Sequence, residues 1–352
     1  MKMGNFVRKL NFKECIPMAM NLGISSYCLC KKLFTNEMTM FDILDWAKEN
    51  GCVHVEICPF GLPLMLEDGK TPNVEFATQV KDYAAKIGLK LSASSLNACF
   101  IRPADEDETV EQKYEKEMER TKAYIEVAYL MGIKNMRVDM CSGQHPLGNN
   151  TPEQFEIDLP VFVKAAGELA DYLATKNMNL TLENHGLYVN GADRVIRILL
   201  GANRPNIGLT VDVGNYLCVD ADPVVEVAKA IKYADMVHLK DFYIRSNETM
   251  YPQQGMYTNF GNMAKPVRQD GKRKEEEGPR MPRLGYVGTA ARNTILRGAI
   301  VGQGDMNMWK VLETIKKSGY EKEISLEFEG MEDCVAGAYY GLETARYIWD
   351  RV

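Results

Sequence analysis

The chain has 352 residues, 46% of them hydrophobic, enough to bury one large core. A formal net charge of −6 and a pI near 5.5 supply no basic surface for a phosphate backbone, which argues against nucleic-acid binding. Nine cysteines, an odd number scattered through a large chain, read as reduced thiols, and Cys28 and Cys30 lack the second pair a zinc ribbon needs. The first residues carry charge without an apolar core or cleavage site, and no stretch approaches about 18 uninterrupted apolar residues. The expectation is a soluble, cytoplasmic protein.

In chain order, residues 1–17 read as an extension and 21–27 as a first strand. Helical periodicity over 40–48 stops at Gly51, and 52–57 is a second strand with His54 and Glu56 on one face. A helix over 74–87 is closed by Gly88, and 89–95 is the third strand. A charged helix covers 108–131, its acidic run 105–108 lying where the helix dipole favours negative charge. Strand four, 134–140, gives Arg137 and Asp139 one parity. The helix 152–176 leads into strand five, 178–185, where Glu183 shares a face with Asn179 and Thr181 while Leu180 and Leu182 take the other. A short helix over 193–200 precedes strand six, 207–212, which ends in Asp212. A helix at 223–233 leads to strand seven, 234–240, with His238 and Lys240 on one face. After a helix over 306–318, strand eight (323–329) carries Ser325, Glu327 and Glu329, and a helix over 335–350 closes the ring.

Eight strands alternating with helices predict an α/β chain folded as a single (β/α)8 TIM barrel across residues 1–352. One stretch breaks the alternation. Residues 244–300 are too long for an ordinary connection and follow the C-terminal end of a strand. They are expected to overhang the active-site face as a lid or subunit contact, or else to be a surface loop.

Several largely apolar strands deliver a ligand-type side chain near their C-terminal ends, where the mouth of a parallel barrel lies. A divalent cation held by Glu183, Asp212, His238 and Glu327 would have carboxylate oxygens and one imidazole. That set suits Mn²⁺, Mg²⁺ or Zn²⁺, and the oxygen majority leans to Mn²⁺. Such a cation polarises a carbonyl and makes the neighbouring C–H acidic enough for a carboxylate to remove. Taken singly, Glu183 or Asp212 could instead cap a helix or pair with Lys240 or Arg137. Glu329 shares parity with Glu327 and competes for the eighth-strand position, Glu327 lying deeper. Glu56, Arg137 and Asp139 are further pocket candidates, unless Arg137 and Asp139 form a buried pair. His54 reads as a histidine of the barrel core.

Leu182-Glu-Asn-His185, Val211-Asp-Val-Gly-Asn215, Val237-His-Leu-Lys-Asp241, Gly302-Gln-Gly-Asp305 and Ser325-Leu-Glu-Phe-Glu-Gly330 carry a resemblance across nearly the whole chain. At these residues it resembles the xylose-isomerase-like sugar isomerase/epimerase superfamily. The resemblance implies the same four metal ligands, with Glu183 and Glu327 exchanging the proton as in the ketose epimerases. Those epimerases usually carry a substrate-binding histidine three residues after the aspartate ligand, where this chain has Asn215, and they lack the 244–300 insertion. Both departures are accommodated by the large subunits of C-glycoside deglycosidases, which the chain is also similar to. These cleave the sugar–aglycone C–C bond of 3-oxo-C-glucosides alongside a small β-sheet partner.

This likeness implies a carbon–carbon lyase that forms a metal-stabilised enolate, with a small partner subunit in a hetero-oligomer. A ketose 3-epimerase using the same metal and glutamates is the alternative. His145, just after strand four, is either the acid or base that assists aglycone departure or a cap for the turn before Pro146. His185 either faces the sugar or packs in its loop; Lys240 either holds a substrate oxygen or neutralises the carboxylates. An apurinic-site endonuclease needs a trinuclear zinc site, which four histidines and an acidic chain do not suit. A non-catalytic scaffold is the remaining class.

Overall fold

A computed structural model describes residues 19–246, 287–288 and 294–352. Short, largely apolar runs set the strands β1 (Leu22–Ser25), β2 (His54–Ile57), β3 (Lys90–Leu96), β4 (Asn135–Val138), β5 (Asn179–Glu183) and β6 (Ile207–Asp212). The remainder are β7 (Ala234–Leu239), β8 (Asp241–Ser246), β9 (Val287–Gly288), β10 (Thr294–Ala299) and β11 (Glu323–Leu326). Strands β1, β11, β7, β6, β5, β4, β3 and β2 close in that order into a parallel barrel, and β8, β10 and β9 form a separate antiparallel sheet. The chain is a (β/α)8 barrel, with helices between successive barrel strands.

Local chemistry places the helix ends. Thr39 and Thr109 cap the helices Met40–Glu49 and Val110–Leu130 in reciprocal boxes with Asp42 and Gln112. Gly88, at φ 66°, closes Val74–Ile87 in the left-handed conformation its missing Cβ permits. Among the described residues, no helix is long and apolar enough to cross a membrane.

Period-two alternation divides each barrel strand. Leu326 turns outward, where its side chain would lie 2.7 Å from a Cβ placed on Gly341 of the helix Cys334–Trp349. Inward, Thr210 Oγ1 donates to Thr181 Oγ1 at 2.8 Å, a polar layer across β5 and β6. Below it the fully buried His54 packs so close to β1 that a Cβ on Gly23 would lie 2.7 Å from its ring. His54 is thus a core residue, its Nε2 3.2 Å from the Ile324 carbonyl oxygen. On β6 and β7 the ladder shifts between Leu209↔Ala234 and Thr210↔Met236, and it then sets Asp212 opposite His238.

The 244–300 insertion differs from a plain loop at its two ends. There β8 pairs antiparallel with β10, from Asp241↔Ala299 to Ser246↔Thr294. This ribbon lies over the end of β11: a Cβ on Gly298 would meet the Glu329 and Gly330 backbone at 2.6–2.8 Å. Apart from β9, residues 247–293 of the insertion and the 1–17 extension fall outside the described residues, and so does their reading as lid, subunit contact or extension.

Asp241 fastens the ribbon. Its Oδ1 accepts from Phe242 N–H at 2.8 Å, and its Oδ2 from Gly302 and Gly304 N–H at 2.8 and 3.0 Å. Burial pushes its carboxyl up to about 6 although these N–H groups pull it down. A folded value above the ordinary 3.8 means the stabilisation is complete below about pH 4 and is lost as pH rises through about 6. Asp241→Asn cannot ionise there. The parent's melting temperature should therefore fall more steeply than the variant's between about pH 4 and 7; parallel curves would show that this ionisation does not bear on stability.

Candidate metal centre

Four strand ends build the centre. Glu183 closes β5, Asp212 closes β6, His238 is the penultimate residue of β7, and Glu327 follows β11 with its N–H bonded to the Leu239 carbonyl at 2.9 Å. One ligand atom from each of Glu183, Asp212 and His238 lies within 4.8 Å of the others. His238 Nδ1 is 2.9 Å from Glu183 Oε1, 3.5 Å from Glu327 Oε1 and 3.9 Å from Asp212 Oδ2. The structure thus brings together all four residues read from sequence as ligands. Glu329 stands further off, beside Lys240 Nζ at 3.8 Å and Tyr27 Oη at 3.4 Å.

Side chains outside this quartet hold it in place. Asn184 accepts from Asp212 N–H at 3.0 Å and donates to the Asp212 carbonyl at 2.8 Å, tying the end of β5 to β6. Asp212 Oδ1 accepts from the N–H groups of Gly214 and Asn215 at 2.8 and 2.9 Å, leaving Oδ2 to face the centre. Neither contact was read from sequence; the Glu-Asn-His run was the available signal for Asn184.

Charge decides what the cluster lacks. Glu56, Asp139, Glu183, Asp212, Glu327 and Glu329 surround two permanent cations, Arg137 and Lys240. Burial works against the Lys240 ammonium, but Asp212, Glu327 and Glu329 outweigh it and hold its pKa well above the ordinary value. Burial likewise pushes Glu327 up, yet Lys240, His238 and Arg137 hold it at about 2. His238 is lifted above its ordinary value because Glu56, Glu327 and Asp212 overcome its burial. Among the described residues, the buried Glu183 Oε2 and Asp212 Oδ2 have no hydrogen-bond partner and meet Arg137 and Lys240 as ion pairs. An excess of buried carboxylate over these cations, with an imidazole nitrogen aimed among them, fits a divalent cation of the Mn²⁺, Mg²⁺ or Zn²⁺ type.

The remaining sequence candidates fall in different places. Arg137 Nη2 bonds Asp139 Oδ1 at 3.0 Å and also Glu183 Oε2, so the expected Arg137–Asp139 pair is one edge of the centre. His185 Nδ1 lies 2.9 Å from Asp139 Oδ2. Asp139, Glu183 and His185 form a second compact set of ligand atoms, but the Arg137 guanidinium already binds two of them. Asn215 is buried, its Oδ1 accepting from Lys240 Nζ at 3.4 Å and its Nδ2 without a hydrogen bond. Lys240 Nζ sits 2.9 Å from Glu327 and 3.2 Å from Asp212, as a neutralising cation would. Glu56, read as a pocket residue, instead meets His238 Nε2 at 2.8 Å.

His145 lies in the loop after β4. Its Nδ1 accepts from Leu147 N–H at 3.1 Å, its Nε2 is 3.3 Å from Asp158 Oδ2, and its ring meets Tyr188 edge-on at 5.0 Å. The loop and the helix Pro152–Ala174 thus engage both ring nitrogens. The loop itself is pinned by Leu187 N–H donating to the Gly143 carbonyl at 2.6 Å.

With this geometry the comparisons can be placed. A search among curated proteins returns no match to the chain. Solved structures of similar fold include 3-keto-D-glucoside 4-epimerase, YcjR, from E. coli, at TM-score 0.61 and 13% identity, covering 94% of this chain and 100% of that one. D-psicose 3-epimerase from Clostridium cellulolyticum H10 gives TM-score 0.59 and 12% identity over 94% and 99% of the two chains. The IOLI protein, solved with a zinc atom, gives 0.59 and 16% over 94% and 96%. The family profile described as "Xylose isomerase-like TIM barrel" matches residues 44–346, and to that family the chain belongs.

Proposed function

We propose that the chain is a metal-dependent enzyme that takes a proton from the carbon beside the carbonyl of an oxidised sugar. On a 3-oxo-C-glucoside this ends in cleavage of the sugar–aglycone C–C bond. The observation that supports it most is the convergence of Glu183, Glu327 and Asp212 on one ring nitrogen of His238. Those four would hold the cation, Mn²⁺ by preference of the donor set, and when bound it lowers the cost of negative charge on the carbonyl oxygen.

Glu183 or Glu327 takes the proton from sugar C2, and the C–H electrons pass through the C2–C3 bond to the carbonyl oxygen. When they return, the C1–aglycone bond breaks, C1 and C2 become doubly bonded, and the departing aglycone carbon takes up a proton. Asn215 Nδ2, buried without a hydrogen bond, is a donor available to a sugar oxygen. A small partner subunit belongs to this reading, as does the absence of the epimerases' histidine at position 215.

A ketose 3-epimerase is the second reading. It is favoured by both glutamates reaching the same imidazole, which suits removal of a proton on one face of a carbon and its return on the other. The chain, charged with Mn²⁺ and given either a 3-oxo-C-glucoside or a free ketose, with and without a small co-purifying subunit, separates them. Free aglycone supports the lyase and inversion at ketose C3 the epimerase; a metal-loaded protein that exchanges no sugar C–H proton would overturn both.

His145→Ala removes the acceptor of Leu147 N–H, but Asp158 keeps Tyr188 Oη at 2.5 Å and Gln154 Nε2 at 3.2 Å, so stability should fall by less than about 1 kcal/mol. Sugar C–H proton exchange should persist. A loss of more than about 100-fold in aglycone release from the folded variant supports acid–base chemistry by this imidazole, and unchanged release assigns it to the turn.

A further inference from the structure

We propose that Glu56 is a positioning residue that decides which nitrogen of His238 faces the cation. The inference rests on the metal reading above. Glu56 stands on β2, fully buried, and its Oε2 lies 2.8 Å from His238 Nε2 across 182 residues of chain. A neutral imidazole carries one N–H and one lone pair, and an ionised carboxylate can only accept. Glu183 Oε1, 2.9 Å from Nδ1, competes for the hydrogen until a cation takes that nitrogen; Glu56 then accepts it from Nε2. That leaves the Nδ1 lone pair directed at the space shared by Glu183, Glu327 and Asp212.

The rest of Glu56 points the same way. Its Oε1 is buried and takes no hydrogen bond, so His238 is the one hydrogen-bond partner of this carboxylate among the described residues. An aliphatic side chain would fill the same space without burying a charge, so packing does not explain an acid here. Holding the far nitrogen of a metal-binding histidine does explain it, because such a partner fixes the tautomer and ring angle and raises the basicity of the ligand nitrogen.

The test uses the full chain labelled with ¹⁵N-histidine, whose four imidazoles can be resolved in long-range ¹H–¹⁵N spectra. In the Zn²⁺-loaded parent, His238 should carry its hydrogen on Nε2. Glu56→Ala should weaken Mn²⁺ binding, read by calorimetry, by about 10–100-fold. Glu56→Gln, whose amide oxygen can still accept from Nε2–H, should fall less far. A parent with the hydrogen on Nδ1, or a Glu56→Ala protein with unchanged Mn²⁺ affinity, overturns the proposal. Should Glu56→Ala not fold, the parent spectrum decides in the same way. If the parent takes up neither Zn²⁺ nor Mn²⁺, the metal reading fails. This proposal then falls with it, whereas unchanged Mn²⁺ affinity in Glu56→Ala with a metal-binding parent overturns this proposal alone.

Discussion

Glu183→Gln is expected to lose both bound metal and turnover. Glutamine keeps the volume of the side chain but gives His238 Nδ1 and the Arg137 guanidinium an uncharged amide where each now meets a carboxylate oxygen. A removed ligand should weaken Mn²⁺ binding by more than the ~100-fold typical of an outer partner. Where Glu183 is also the proton acceptor, a further factor of about 10²–10⁴ in turnover goes with it. Metal content after dialysis and proton exchange from the sugar substrate measure the two losses separately. A variant that keeps its metal and still exchanges protons would remove Glu183 from the ligand set.

Arg137→Met should be the most damaging change to the metal-free fold. The side chain is buried, with Nη2 shared between Asp139 and Glu183 and Nη1 donating to Asn97 Oδ1 at 3.0 Å. Burial pushes the Asp139 carboxyl up, but Arg137 and His185 together hold it below its ordinary value, so removing the guanidinium strands a charge on each side. Breaking a buried pair in this way costs about 3–5 kcal/mol. Pairs on the outer helices, such as Arg197 with Glu156, are half-exposed and solvent-screened, and their loss should matter far less. Urea unfolding in chelator reads the loss, and saturating Mn²⁺ should restore part of it, because ligand at about 100 times its Kd adds about 2.7 kcal/mol. A loss below about 1 kcal/mol would mean that the guanidinium is dispensable to the fold.

What could be read from sequence follows from period-two alternation. Glu183, Asp212, His238 and Glu327 each end or follow an apolar run, and that pattern both located the strands and singled out the side chains pointing inward. Contacts across the closed barrel left no such trace. Glu56 and His238 meet only because the ring closes, and Arg137 reaches Glu183 only because β4 lies beside β5. The partner of His145 left no trace either, because Asp158 sits on the following helix and looks like an ordinary helix-surface residue in sequence. The ribbon β8–β10 escaped notice because its two strands lie far apart in the chain, on either side of the long insertion, and no short turn joins them.

The ladder shift on β7 has a consequence for how this centre can arise at all. Counted on from Leu209↔Ala234 without interruption, Asp212 would stand beside Val237, and His238 would be turned out towards the helices. One surplus residue, Asp235, brings the acid and the imidazole onto the same side of the wall. A barrel closed one step out of phase would turn His238 and Lys240 against the helices, so the surplus residue keeps both the packing and the cluster of ligand-type side chains.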